Sequence, residues 1–108
     1  MKTPLFACLL ALSLSACSSV TPVGTAKYPA VPVERIEVLY QEPKRPYEVI
    51  AMLSHEAASR FSSVDDVVRN CRDLAAEAGG DAVIITSTYD QSFSTAARAS
   101  AKAIRWKR

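Results

Sequence analysis

The chain has 108 residues, with 13 Lys or Arg against 11 Asp or Glu and a formal net charge of +2. That length holds one small domain with a modest core, and the charge balance gives no argument for nucleic acid. Three cysteines and a single histidine, His55, supply no zinc-ligand pattern.

The first element is a leader. Met1-Lys2-Thr3 carries one positive charge, and residues 4–16 carry none and are mostly Leu and Ala. This is the layout of an export signal, too short for a bilayer-spanning helix of about 20 residues. It ends in Leu14-Ser15-Ala16-Cys17, which resembles the lipobox of bacterial lipoproteins. The resemblance implies cleavage between Ala16 and Cys17, a diacylglycerol on the Cys17 thiol and an acyl chain on the new amino terminus. No other cofactor is expected. Each buried methylene contributes about 0.8 kcal/mol, so one chain binds marginally and three hold the protein essentially permanently. Ser18 stands where, in enterobacteria-like lipoproteins, an aspartate favours retention in the inner membrane. The resemblance therefore implies an outer-membrane protein, lipid-anchored on the periplasmic face.

Residues 18–34 hold three prolines, a glycine and small polar residues, with neither helical nor strand period. They read as a tether between lipid and domain, at most about 55–60 Å long when fully extended. The expected organisation is thus a signal over 1–16, a lipidated cysteine and tether over 17–34, and a domain over 35–108.

Within the domain, Arg35 to Tyr40 alternates apolar and polar residues as a strand does. Pro43 and Pro46 break it into a turn. The alternation resumes from Tyr47, placing Tyr47, Val49, Ala51 and Leu53 on one face and Ile50 and Met52 on the other. Ser63 then caps a helix, with Asp65 and Asp66 in its first turn. Val64, Val67, Val68, Cys71, Leu74, Ala75 and Ala78 form its apolar stripe, and Gly79-Gly80 ends it. Cys71 reads as a small buried hydrophobe. Asp81 to Tyr89 is β-branched and apolar at its start, as a central strand is. From Ala97, alanines alternate with Arg98, Ser100, Lys102 and Ile104 up to Trp106, which predicts a final strand.

The expected fold is therefore α/β, of the α+β kind: a two-layer β-β-α-β-β sandwich with one helix on a mixed four-stranded sheet. One helix covers one face. The other face, expected to carry Ile50 and Met52, needs cover from the tether, from the 55–61 segment or from another chain. Ile50 and Met52 are accordingly the candidate interface.

The stretches from Val33 to Ala57, "AAEAGGDAVI" and "AIRWK" are similar to a group of small bacterial lipoproteins. Their domain is related to the YbjQ-like fold and to the lipoprotein sensor of the Rcs envelope-stress pathway. That sensor relies on disulfides in its domain, whereas Cys71 is the one cysteine left here once Cys8 goes with the leader and Cys17 takes lipid. YbjQ-like proteins form rings, which accords with an uncovered sheet face.

Catalysis is not expected. No nucleophile motif surrounds His55, which reads as an ordinary surface or sheet-end residue, and "AGGD" lacks the P-loop lysine. The expected role is a protein-interaction module in envelope maintenance or stress sensing, with an unidentified envelope protein or a second copy as partner. The alternative is a non-enzymatic binder of anionic envelope components, such as lipid A, phospholipid or cell-wall polymer. It would use the basic carboxy-terminal residues Arg98, Lys102, Arg105, Lys107 and Arg108, which no acid follows after Asp90.

Overall fold

The computed structural model describes residues 17–59 and 61–107. The leader, its expected cleavage site at Ala16 and the basic residue Arg108 lie outside the described residues. Six elements of regular structure appear beside a short 3-10 turn at Val33–Arg35. They are strands β1 (Cys17–Pro22), β2 (Glu37–Leu39), β3 (Tyr47–Glu56), β4 (Ala82–Tyr89) and β5 (Arg98–Trp106), with helix α1 (Val64–Glu77) between β3 and β4.

The strands form one mixed five-stranded sheet in the order β1-β3-β5-β4-β2. The pairs β1–β3, β3–β5 and β5–β4 are antiparallel and β4–β2 is parallel. The expected two-layer arrangement with one helix is present, but the sheet has five strands rather than four. The extra strand comes from the start of the segment expected to be a free tether. Cys17 to Pro22 pairs with Glu56 to Ala51. This edge strand bonds on one side only and keeps Val20 44% exposed, so it has no burial pattern for a sequence to display. Pro22 sits at its end, where a missing N–H costs little.

Helix α1 begins with a reciprocal cap. Ser63 Oγ accepts from the Asp66 N–H, and the Ser63 N–H donates to Asp66 Oδ2 at 2.9 Å, satisfying two donors that the first turn leaves open. The backbone hydrogen bond from Ser63 holds the Asp66 carboxyl below its usual range. The helix ends in a Schellman pattern, with Gly80 N–H to Ala75 O and Gly79 N–H to Ala76 O. Gly79 takes φ +81°, the left-handed position that a glycine adopts without a Cβ penalty. Val67, Val68, Cys71 and Ala75 face the sheet. Opposite them lie Ala97, Ala99, Ala101 and Ala103, each 2% exposed or less. This run of methyl groups lets the helix approach β5 closely, and it accounts for an alanine-rich segment being a strand.

The two faces do not follow simple alternation. A bulge between Val49 and Ala51 shifts the β3–β5 register. Below it, Tyr47 and Val49 belong with Ile84, Ile104 and Trp106 on the face away from the helix. Above it, Ala51 and Leu53 face the helix, and Ile50 joins them at 8% exposure. Ile50 and Met52, expected to share the open face, are therefore separated. Met52 alone stays there, 46% exposed.

Two connections strap the sheet. Strands β2 and β3 run parallel but lie on opposite sides of β4 and β5, so residues 40–46 must return across the open face. Glu42 reaches Lys102 Nζ at 2.6 Å and Tyr47 Oη also donates to it, while Arg45 lies 4.7 Å from the Trp106 ring centroid. Ile84 and Ile104 beneath are 2% and 0% exposed. The open face thus gains partial cover from the turn at residues 40–46. On the other face, residues 23–32 pass the carboxy-terminal end of α1, where the Val31 N–H donates to Ala76 O at 2.9 Å.

Candidate functional site

The basic residues of β5 do not make one surface: Arg98 and Lys102 share the face away from the helix, four residues apart, and Arg105 lies on the other. Arg105 points to the helix side. Its guanidinium stacks 4.0 Å from the Tyr28 ring centroid and donates to Gly79 O at 2.9 Å, joining the last turn of α1 to the 23–32 strap. Lys102 lies on the open face, bound to Glu42, with its side chain only 19% exposed. Hydrogen bonds from Lys102 and then Tyr47 hold the Glu42 carboxyl below its usual range. The Lys107 side chain is exposed, and its backbone N–H donates to Pro46 O. Arg98 is the member whose described geometry opens onto a depression.

Arg98 begins β5 at the end of the sheet opposite the 40–46 strap. Its guanidinium lies 4.2 Å from the Tyr89 ring centroid. The strand registers place Ser54 opposite Ser100 and Ser100 opposite Ser87, two residues in from the pair Glu56 and Arg98. These side chains line a shallow depression of about 420 Å³. The lining, which also includes His55 and Ala99, presents one guanidinium, three hydroxyls, a phenol and the Glu56 carboxylate. A planar guanidinium with several hydroxyl donors suits phosphate or carboxylate oxygens, while Glu56 opposes a high negative charge. No group of three or more His, Cys, Asp or Glu positioned for a metal occurs among the described residues.

Three features of this region escaped the sequence reading. A bulge between Ile85 and Ser87 changes which β4 residues face the depression, placing Ser87 beside Ser100. The serines were unremarkable in a linear reading because they converge from three strands. His55, expected at the surface, is 6% exposed, and its Nδ1 lies 2.6 Å from Ser18 Oγ. Burial lowers its pKa below the ordinary 6.5. This pair ties the first residues of β1 to β3. The one signal available was the single histidine within an apolar strand.

Cys71 is fully buried and its thiol is pushed up to about 11 by desolvation. Such a thiol stays protonated at neutral pH and is inert while the fold is closed.

No family model matches the chain, and no curated protein matches it. Among solved structures, the crystal structure of the Francisella virulence factor FvfA, in its orthorhombic form, is similar to this chain. It aligns with a TM-score of 0.64 over 82% of this chain and 97% of that one, at 11% sequence identity. Likeness at that identity is a likeness of fold. It adds a solved example of the helix-on-sheet arrangement and leaves the chemistry of the Arg98 depression to be argued from its residues.

Proposed function

We propose that this chain is a membrane-anchored, non-enzymatic binding module of the cell envelope, attached through Cys17, that takes an anionic group of an envelope component at Arg98. The observation that carries the reading is the convergence of Arg98 with Ser54, Ser87, Ser100 and Tyr89 around one depression. Arg105 and Lys102, engaged with Gly79 and Glu42, serve the fold. The anionic component is a phosphate- or carboxylate-bearing lipid or polymer. The protein-contact reading has less support, because the strap reduces the open apolar surface and Ile50 faces the helix. Met52 is what remains for it.

The test is a titration with a soluble short-chain phosphatidylglycerol, followed by backbone amide shifts. Shifts should concentrate at Ser54, Ser87, Arg98 and Ser100 and weaken with added salt. Arg98→Gln should abolish them and Glu56→Gln should strengthen them, with Lys107→Gln unchanged. Equal shifts in the wild type and Arg98→Gln would exclude the site.

A further inference from the structure

We infer that the end of the sheet bearing Cys17 is a membrane-docking surface, with Phe61 and Phe93 entering the headgroup region of the bilayer that holds the chain's amino-terminal anchor. The inference rests on the membrane-anchored reading above and specifies how the domain sits on that membrane.

The geometry comes from one row of the sheet. Cys17 pairs with Glu56, Glu56 with Arg98, and Arg98 with Tyr89. At about 4.8 Å between neighbouring strands, the row is roughly 14 Å wide. Residue 17 is already within β1, so no free linker separates an anchor there from the sheet. An apolar run of residues 4–16 leads directly to it. Whatever membrane attachment Cys17 carries, this end of the sheet lies beside it.

The same end carries the most exposed aromatic side chains. The loop after Glu56 presents Phe61, 83% exposed, and the loop after Tyr89 presents Phe93, 91% exposed. Tyr89 itself is 55% exposed. Aromatic side chains in such loops gain by entering the interface, where apolar rings leave water and polar tips stay wet. Asp65 and Asp66 at the start of α1, with Glu56 and Asp90, are acidic groups near this end. The surface therefore docks through its aromatic side chains and needs no anionic lipid. Arg98, in the row beside Cys17, comes level with lipid phosphate.

The experiment uses the chain from Cys17 onward, which contains every described element of the fold. Its Cys17 thiol is coupled to a maleimide phospholipid in phosphatidylcholine vesicles. Cys71, buried with its thiol pushed up to about 11, stays unreacted. A tryptophan reporter is introduced as Phe93→Trp with Trp106→Phe, and the wild type, with Trp106 at the opposite end of the sheet, is the comparison. Headgroup-proximal brominated lipid should quench and blue-shift the reporter at position 93 and leave Trp106 unaffected, at low and high salt alike. Adding Phe61→Ser should reduce the quenching at least twofold. A water-like spectrum at position 93, or equal quenching at both ends, would overturn the docking surface. The mass of the natively expressed chain reports separately on acylation of Cys17. An unmodified mass defeats the anchor reading whatever the vesicles show, whereas failed quenching defeats only the docking.

Discussion

Two glycines in left-handed conformations offer a controlled test of how the 23–32 strap is held. Gly79 has φ +81° and Gly24 has φ +79°. A methyl group at Gly24 would meet nothing within 4 Å, whereas at Gly79 it would lie 2.6 Å from both Pro29 O and Tyr28 Cβ. Substitution by alanine therefore costs both positions about 1–2 kcal/mol of backbone strain, and both gain the same reduction in unfolded-chain entropy. Only Gly79→Ala must also move the strap. That movement loosens the Tyr28–Arg105 stack, about 0.5–1 kcal/mol at an exposed site, and the Val31 N–H to Ala76 O hydrogen bond, about 0.5–1.5 kcal/mol. Gly79→Ala should thus be less stable than Gly24→Ala by roughly 1–2.5 kcal/mol. At about 4–8 °C per kcal/mol for a domain of this size, that is a Tm difference of roughly 5–20 °C. Thermal unfolding followed by circular dichroism measures it. Superimposable melts for the two variants would show that the strap does not press on the end of α1 and would refute the reasoning.

Three further outcomes are expected. Because burial lowers the folded-state pKa of His55, the unfolded chain takes up the proton first. The stability due to neutral His55 is complete above about pH 6.5 and is lost as pH falls toward the folded-state value. Denaturation midpoints should fall between pH 7.5 and 5.5, less so in His55→Asn; an equal fall in both would remove His55 as the cause. Ile104→Ala, at a side chain with 0% exposure between β3 and β4, should cost about 2–5 kcal/mol, read from urea midpoints; a cost under 1 kcal/mol would contradict the packing beneath the 40–46 strap. In the chain from Cys17 onward, a disulfide reagent should reach the Cys71 thiol, at 0% exposure, only in denaturant. Rapid reaction of two thiols in the folded chain would contradict the burial of Cys71.

The contrast between what the sequence disclosed and what it hid has a physical basis. Helix α1 was legible because its cap, stripe and glycine stop are local. Ser63 and Asp66 are three residues apart, and Gly79 follows the last turn directly. Strand β5 was legible because alternation of alanine with larger residues survives wherever one face must stay close to a helix. By contrast, β1 gains its place through backbone hydrogen bonds to β3. Those bonds depend little on side-chain identity, so its residues resemble a linker until the partner strand is known.

The open face was misassigned for a sharper reason. Alternation assigns faces only while the register is continuous, and one extra residue reverses every assignment beyond it. The bulge at Ile50 has no glycine or proline to mark it. It moves Ile50 to the helix side while Met52 stays exposed. The bulge at Thr86 acts in the same way on β4, bringing Ser87 level with Ser100, and Thr86 Oγ1 donates to Ser100 O at 3.0 Å beside it. The Arg98 depression is therefore set by register as much as by composition. Arg98 was visible among the basic residues of the last strand, but its separation from Arg105 follows from alternation along β5, and its serine neighbours follow from pairing across three strands. Deleting Thr86, the unpaired residue of the bulge, would join Ile85 directly to Ser87 and keep Ser87 opposite Ser100, so a folded deletion variant should retain anion binding. Binding lost in a folded Thr86 deletion would mean that the register of Ser87 with Ser100 is not what makes the site.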